Sequence, residues 1–436
     1  MPKIVFMGAG SSVFVKNVVG DCMLDDALQD SEFALYDIDP VRLEDSRRML
    51  EALRRNMGCK AVITSYLGAE HRREALRGAR YVINAIQVGL YRPCTVTDFE
   101  VPRRFGLRQT IGDTLGIGGI FRALRTIPVL EDFARDIMEE CPDAWFLNYT
   151  NPMAMLTGYM QRFTPVKTVG LCHSVQVCAK RLLEGLGMDD DPAIRTLIAG
   201  INHQAWLLDI RDRDGNDLYP EIRRRAAART EKHTDMVRYE IMKRFGYYVT
   251  ESSEHNSEYM PYFIKRDYPE LIDRFNIPLD EYPRRCIRNI NEWATRREAL
   301  LHHETLTHER SSEYASYIME AMETNKPFKF GGNVLNRGLI TNLPSKACVE
   351  VPCMVDKSGV VPTIIGDLPE QCAAMNRTNI NVQLLTIEAA TTLKKEYIYQ
   401  AAMMDPHTAA ELSIDDIVAM CDDLIAAHGD WLPKFH

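Results

Sequence analysis

Apolar positions along the chain fall into short strand-like runs separated by charged stretches of helical spacing, and this alternation starts at once. Lys3-Ile4-Val5-Phe6-Met7 is a short β-type run that Gly8-Ala9-Gly10-Ser11-Ser12 breaks. The residues to about Leu28 then repeat with helical period, and Phe33-Ala34-Leu35-Tyr36 delivers Asp37 and Asp39 at a strand's carboxyl end. Helical periodicity over Val41 to Met57, a strand at Val62 to Tyr66 and a short helix at His71 to Leu76 follow. Further strands are predicted at Tyr81 to Gly89, Ala144 to Leu147, Thr168 to Leu171 and Leu197 to Ile201, with helices at Ile120 to Glu140 and Val175 to Gly187 between them. Strands alternating with helices predict a parallel sheet with right-handed crossovers, and ligands at the carboxyl ends of its strands.

Beyond Arg211 the pattern changes to long charged helices, Pro220 to Arg229, Thr234 to Phe245, Glu281 to Glu304 and Ser311 to Thr324. The polar segment Gly246 to Tyr259 lies among them, and Asn333 to Asn336 and Ala347 to Val351 read as strands of a small sheet. Helices Asn376 to Tyr399 and Ile414 to Ala427 close the chain. The fold class expected is α/β: a Rossmann-like dinucleotide-binding domain over 1–195 and a mixed α+β domain over 196–436 for substrate, metal and oligomerisation. No repeat or low-complexity linker separates the two, so they should interleave.

Composition narrows the partners. A formal charge of -9 without a dense basic cluster argues against nucleic acid and anionic membrane surfaces. The chain enters a strand within three residues and contains no run of 18 apolar residues, so neither a secretory signal nor a membrane span is expected, and the cytoplasm is the expected compartment. Eleven cysteines scattered without a CxxC pair fit buried free thiols in a reducing environment.

The chemistry concentrates at predicted strand ends. In the first unit, Gly8, Gly10 and Ser11 make a turn whose backbone N–H groups could approach a pyrophosphate, and Asp37 is placed to take ribose hydroxyls, an arrangement suited to NAD. Val13 stands where the third glycine of that fingerprint would be. Asn84 and Gln87 should lie beside the nicotinamide end. Gln109 to Gly119 sets glycines around Asp113, which fits either backbone packed on a ligand or a glycine-rich helix start. Asn148 and Asn151 empty into the same crevice. Two consecutive strands then end in Cys172-His173 and Asn202-His203, and sulfur and imidazole presented together are plausible ligands for a divalent transition metal. An isolated histidine is more often structural; the recurrence at two strand ends favours a site.

The segments GAGSSVFVKN, YDIDPVRLE, QTIGDTLGIGGIFRALRTIP, LNYTNPMAM, VGLCHSVQ, AGINHQAW and GYYVTESSEH resemble the family 4 glycoside hydrolases end to end, most closely their α-galactosidase branch. The resemblance implies cleavage of melibiose-like α-galactosides by a redox route: NAD oxidises C3 of the sugar, the C2 proton is removed, the glycosidic oxygen leaves by elimination, water adds and the hydride returns. It implies Cys172 and His203 as metal ligands and Mn(II) as the ion, although sulfur and imidazole alone would suit zinc better. His173 would donate a proton to the leaving oxygen or hold the sugar, Asp113, Asn148 and Asn151 would hold the sugar, and Gly8, Gly10 and Asp37 the cofactor. The base at C2 belongs to the segment Thr250 to Tyr259, where Ser252-Ser253 occupies the aligned positions; Glu254, His255 and Tyr259 are the groups able to accept a proton, with His255 or Glu254 preferred. A homodimer or homotetramer is expected. The competing readings are an NAD-dependent hydroxy-acid or sugar dehydrogenase, an idle NAD-binding sensor, and another member of the family such as an α-glucosidase or α-glucuronidase.

Overall fold

A computed structural model describes residues 1–302 and 306–436. Its strands are β1 (Lys3–Met7), β2 (Glu32–Asp37), β3 (Val62–Leu67), β4 (Tyr81–Asn84), β5 (Trp145–Asn148), β6 (Lys167–Gly170), β7 (Arg195–Ile201), β8 (Gln204–Arg211), β9 (Tyr248–Val249), β10 (Phe328–Leu335), β11 (Cys348–Asp356) and β12 (Gly359–Pro362). All belong to one 12-stranded sheet of order β3-β2-β1-β4-β5-β6-β10-β11-β7-β8-β9, with β12 paired to β11. From β3 to β6 the pairs are parallel, as the alternation predicts, and from β10 onward they are antiparallel.

The central strands β1 and β4 are apolar almost throughout because helices cover both faces of a parallel sheet. One row of partners crosses the sheet at the carboxyl ends of the parallel strands: Tyr36, Met7, Asn84, Asn148 and Gly170. It continues through Asn333, Glu350 and Gly200 by single-residue bridges at Gly170 with Asn333 and at Glu350 with Gly200.

Three expectations are corrected here. The strands near 333 and 347 form no separate small sheet; β10 and β11 bond to β6 and β7, so the carboxyl-terminal half extends the first sheet. The strand from Tyr81 stops at Asn84, because the chain from Ala85 turns away and reaches Gly89 in the left-handed region at φ 77°. The helix placed over Asn376 to Tyr399 is two, Glu370–Thr392 and Lys395–Met404, broken where Leu393 adopts φ 59°. The helix from Glu281 is described to His302, and its expected last two residues lie outside the described residues. Val13 opens the helix Val13–Met23 with its side chain 45% exposed, so a glycine for close helix-to-strand packing is not required there.

The interleaving is visible in the packing. One apolar core joins Val5 and Val82 of the parallel sheet to Ile120 and Leu124 and to Ile398, Met420 and Leu424 of the carboxyl-terminal helices. A buried charge group fastens the same layers: both guanidinium NH groups of Arg125 donate to Asp98, at 3.1 and 2.6 Å, and Asp98 also accepts from His428 Nε2 at 2.9 Å. Removing one member of such a buried pair leaves its partner uncompensated. Asp98→Ala is expected to lower unfolding free energy by about 3–5 kcal/mol and His428→Ala by clearly less, read as urea midpoints.

Candidate functional site

A cavity of about 380 Å³ opens beyond the carboxyl ends of the parallel strands. A larger hollow of about 580 Å³ lies at the opposite ends, around Lys3, Arg80 and Lys167, and shares no residue with the first. At one end of the site cavity stands the glycine turn. Gly8 and Ala9 N–H both donate to Tyr36 O at 3.0 Å, and Gly10 N–H donates to Asp37 Oδ2 at 2.6 Å. Gly8 has φ +88°, and a Cβ there would stand 2.7 Å from Ala85 O, so only glycine lets β1 hand over to the helix this close to the neighbouring strand. Ser11 and Phe14 line the cavity, and the Ser11 hydroxyl is buried without a hydrogen-bond partner.

At the other end, Cys172, His203 and Glu251 offer ligand atoms that all lie within 4.8 Å of one another. Cys172 follows β6 and precedes the helix His173–Gly185. Its backbone is fixed by Tyr314, whose hydroxyl accepts from Cys172 N–H at 2.7 Å and reaches Cys172 O at 3.1 Å. His203 does not end a parallel strand equivalent to β6. It sits in the two-residue turn of the antiparallel hairpin β7-β8, at φ 64°, because Ile201 pairs directly with Gln204. Glu251 follows β9 at φ 65°. Tyr259 hydroxyl meets His203 Nδ1 at 3.0 Å, which leaves Nε2 facing Glu251 Oε2 at 3.4 Å. Burial holds His203 down to about 4, so its imidazole is neutral and its nitrogen lone pair open to a cation.

Glu251 is the residue that sequence reasoning missed. It lay inside the segment singled out for the base, but nothing in TESSEH distinguishes one acid from the next; only the paired turns at His203 and Glu251 do. Burial alone would raise its carboxyl, yet the imidazoles of His203, His255 and His173 hold it down to about 2. His255 lies between two carboxylates, Nδ1 at 3.5 Å from Glu251 Oε1 and Nε2 at 3.8 Å from Asp113 Oδ1. Burial opposes its charge, but Glu251 and Asp113 raise it to about 9. Asp113 itself is held far below the usual carboxylate range, against the effect of burial, by His255 and by Arg122 at 3.9 Å.

The glycine segment serves both readings offered for it. Gly116–Glu140 is a helix, and the loop before it is pinned by Glu258, whose carboxyl accepts N–H groups of Thr110, Ile111 and Gly112 at 2.8, 3.3 and 2.8 Å. That loop sets Asp113 in the cavity wall. Asn151 and His173 also line the wall, His173 as the first residue of its helix and open to the cavity, where the crowded surroundings lower its imidazole below the ordinary value.

Other candidates lie behind the wall. Asn84 and Asn148 are fully buried and bond to one another at 2.9 Å and to Thr150 and Thr157, bracing the loop that carries Asn151. Gln87 is outside the lining, and its Nε2 is buried without a partner. Glu254 points away to Arg285 at 3.7 Å, and only that arginine reaches the cavity.

Comparison with known proteins agrees with this geometry. The family model for family 4 glycosyl hydrolases matches residues 3–188 and the model for their C-terminal domain residues 198–408. The chain is 65% identical over 436 residues to an alpha-galactosidase of Bacillus subtilis, covering 100% of both, and 36% identical over 452 residues to one of Rhizobium meliloti, covering 99% of this chain and 89% of that protein. It shares its fold, at a TM-score of 0.81 and 18% identity over 100% of both chains, with a 6-phospho-alpha-glucosidase from gut microorganisms solved with NAD and Mn2+. With both halves of the chain matched, and the glycine turn and Cys172, His203 and Glu251 meeting in one cavity, the protein belongs to family 4 of the glycosyl hydrolases.

Proposed function

We propose that the protein is an NAD- and divalent-metal-dependent α-galactosidase acting on small melibiose-like galactosides. The observation that carries the reading is the convergence of Cys172, His203 and Glu251 on a cavity whose other end is the dinucleotide turn. The residues fit both groups. Gly8 leaves a cradle that a Cβ would fill, and the orphaned Ser11 hydroxyl faces the space a pyrophosphate would take. Cys172 Sγ, neutral His203 Nε2 and Glu251 supply three donors, and the carboxylate makes the set harder than cysteine and histidine alone, which suits Mn(II) better.

When bound, NAD supplies a hydride acceptor and the cation a Lewis acid, which together make a sugar C2 hydrogen acidic enough for a side chain to take. The chain does the rest. Asp113 and Asn151 face the sugar from opposite elements and orient it by hydrogen bonds to its hydroxyls. His173, at the free end of its helix, is placed to give a proton to the leaving glycosidic oxygen. His255, the member of the expected pair that lies in the wall, is held between Glu251 and Asp113 and would take the C2 proton only in its neutral form. Glu254, the other expected base, serves through Arg285. The halves 1–195 and 196–436 divide the labour, cofactor turn in the first and Glu251 with His255 in the second, with Cys172 and His203 on either side of the division.

A cytoplasmic site and a homodimer or homotetramer remain part of the proposal. Ten of the eleven cysteines are buried as free thiols, which suits a reducing compartment, and no helix among the described residues is long and apolar enough to cross a membrane. Ile287 and Ile290 stand exposed on the helix Glu281–His302, a face that suits a second copy.

Two measurements test the reading. With Mn(II), NAD and a nitrophenyl α-galactoside, phenol should be released with no net NADH; steady NADH accumulation would favour the dehydrogenase instead. Cys172→Ser and Glu251→Gln should each lower Mn-dependent turnover by at least about 100-fold, and a fully active Cys172→Ser enzyme would remove the metal assignment.

A further inference from the structure

Glu313 is a carboxyl for which the chemistry above has no use. It lines the site cavity beside Ser11, Phe14 and Tyr149, is 9% exposed, and its Oε2 is buried without a hydrogen-bond partner. No cation pairs with it among the described residues. A buried polar atom is ordinarily satisfied, and one left without a partner in a cavity wall marks a place where a ligand completes the bonding. Burial and the charge of Asp21 raise its carboxyl to about 7.

The position is held from both sides. Asp21, on the helix that follows the glycine turn, accepts from Ser311 N–H at 2.8 Å and Ser311 hydroxyl at 2.5 Å, and meets His308 Nε2 at 2.8 Å. His308 packs so closely over that helix that a Cβ on Gly20 would come within 2.6 Å of its ring. Ser311 Oγ then accepts from Glu313 N–H at 3.1 Å. On the other side Tyr314 grips Cys172, and Ala315 N–H donates to Tyr149 hydroxyl at 3.2 Å. The segment from His308 to Ala315 thus spans from the dinucleotide helix to the metal cysteine, and Glu313 is its one carboxyl facing the cavity between them.

We propose that Glu313 is a positioning residue for the cofactor, its free carboxyl oxygen accepting a hydrogen bond from the nicotinamide riboside half of NAD. The inference rests on the cofactor reading given above. The donor is either the carboxamide N–H or a hydroxyl of the adjoining ribose, the groups a dinucleotide carries between its pyrophosphate and its reactive ring. Fixing that half turns the ring's reactive carbon toward the sugar held at the cation, without Glu313 entering the chemistry.

The test is equilibrium binding to the full-length protein, with no turnover involved. Dissociation constants for NAD, for its 3-acetylpyridine analogue, which lacks the amide donor, and for ADP, which lacks the nicotinamide riboside, are measured on the parent and on Glu313→Leu and Glu313→Gln. Leucine should weaken NAD by about 10- to 100-fold and leave ADP within about twofold, and glutamine, which keeps an acceptor oxygen, should recover most of the loss. If the analogue is already weak and indifferent to the substitution, the donor is the carboxamide; if it weakens as NAD does, the donor is the ribose. NAD affinity within about twofold of the parent, or equal losses for NAD and ADP, would overturn the proposal. Should the leucine variant fail to fold by circular dichroism, Glu313→Asp, which withdraws the carboxyl by one methylene, is judged by the same criterion. A parent protein that binds ADP but discriminates nothing beyond it would remove the cofactor reading itself and this proposal with it.

Discussion

The burial of Glu350 in the middle of the sheet is the constraint on which the site depends. It sits in β11, fully buried, where burial pushes its carboxyl up to about 8, and it accepts from Asn333 Nδ2 at 2.9 Å and from Asn202 Nδ2 at 3.4 Å. Those asparagines lie in β10 and in the hairpin turn beside His203. A carboxyl in this place is costly unless it is neutral and hydrogen-bonded, so its few partners hold fixed positions. The strands it joins are bridged to their neighbours by single residue pairs, β10 to β6 of the parallel half at Gly170 and β11 to β7 at Gly200. Side-chain bonding therefore supplements a ladder too short to set the relation of the two halves by itself, and that relation decides whether Cys172 and His203 meet.

Much of this was readable from the sequence where local rules operate. The parallel half follows from apolar runs alternating with amphipathic helices, and the turn at Gly8 from the need for glycine where backbones approach closely. Cys172, His203, Asp113, His173 and Asn151 are expected at loops after strands or before helices and His255 in a polar segment among helices, and the structure gathers them into one wall. What was not readable involves pairing between distant segments. β8 lies directly after Asn202-His203, yet nothing local announces the return of a hairpin, because the turn residues are asparagine and histidine and include no glycine. The capture of β10 and β11 by the first sheet is likewise a long-range event that no local period announces.

The roles of the polar residues separate by depth in a way that residue type does not reveal. Asn148 and Asn151 stand three positions apart in the same motif, but the first is consumed by its neighbours and the second is free to meet a ligand. Glu254, Glu251 and Glu258 are three acids within eight residues of chain. One pairs with an arginine, one turns toward Cys172 and His203 and one fastens the loop that carries Asp113.

His203 and Glu251 share a further property: both are non-glycine residues in left-handed backbone conformations, at φ 64° and 65°. Each such residue stores on the order of 1 kcal/mol of conformational strain that the surrounding fold must overrule. Folding, rather than the arrival of a ligand, therefore bears the cost of aiming these donors. The protein gives up a little of its own stability to hold the two side chains with almost no freedom left to lose, and substitution by glycine at either position would relax the backbone even as it removed the side chain.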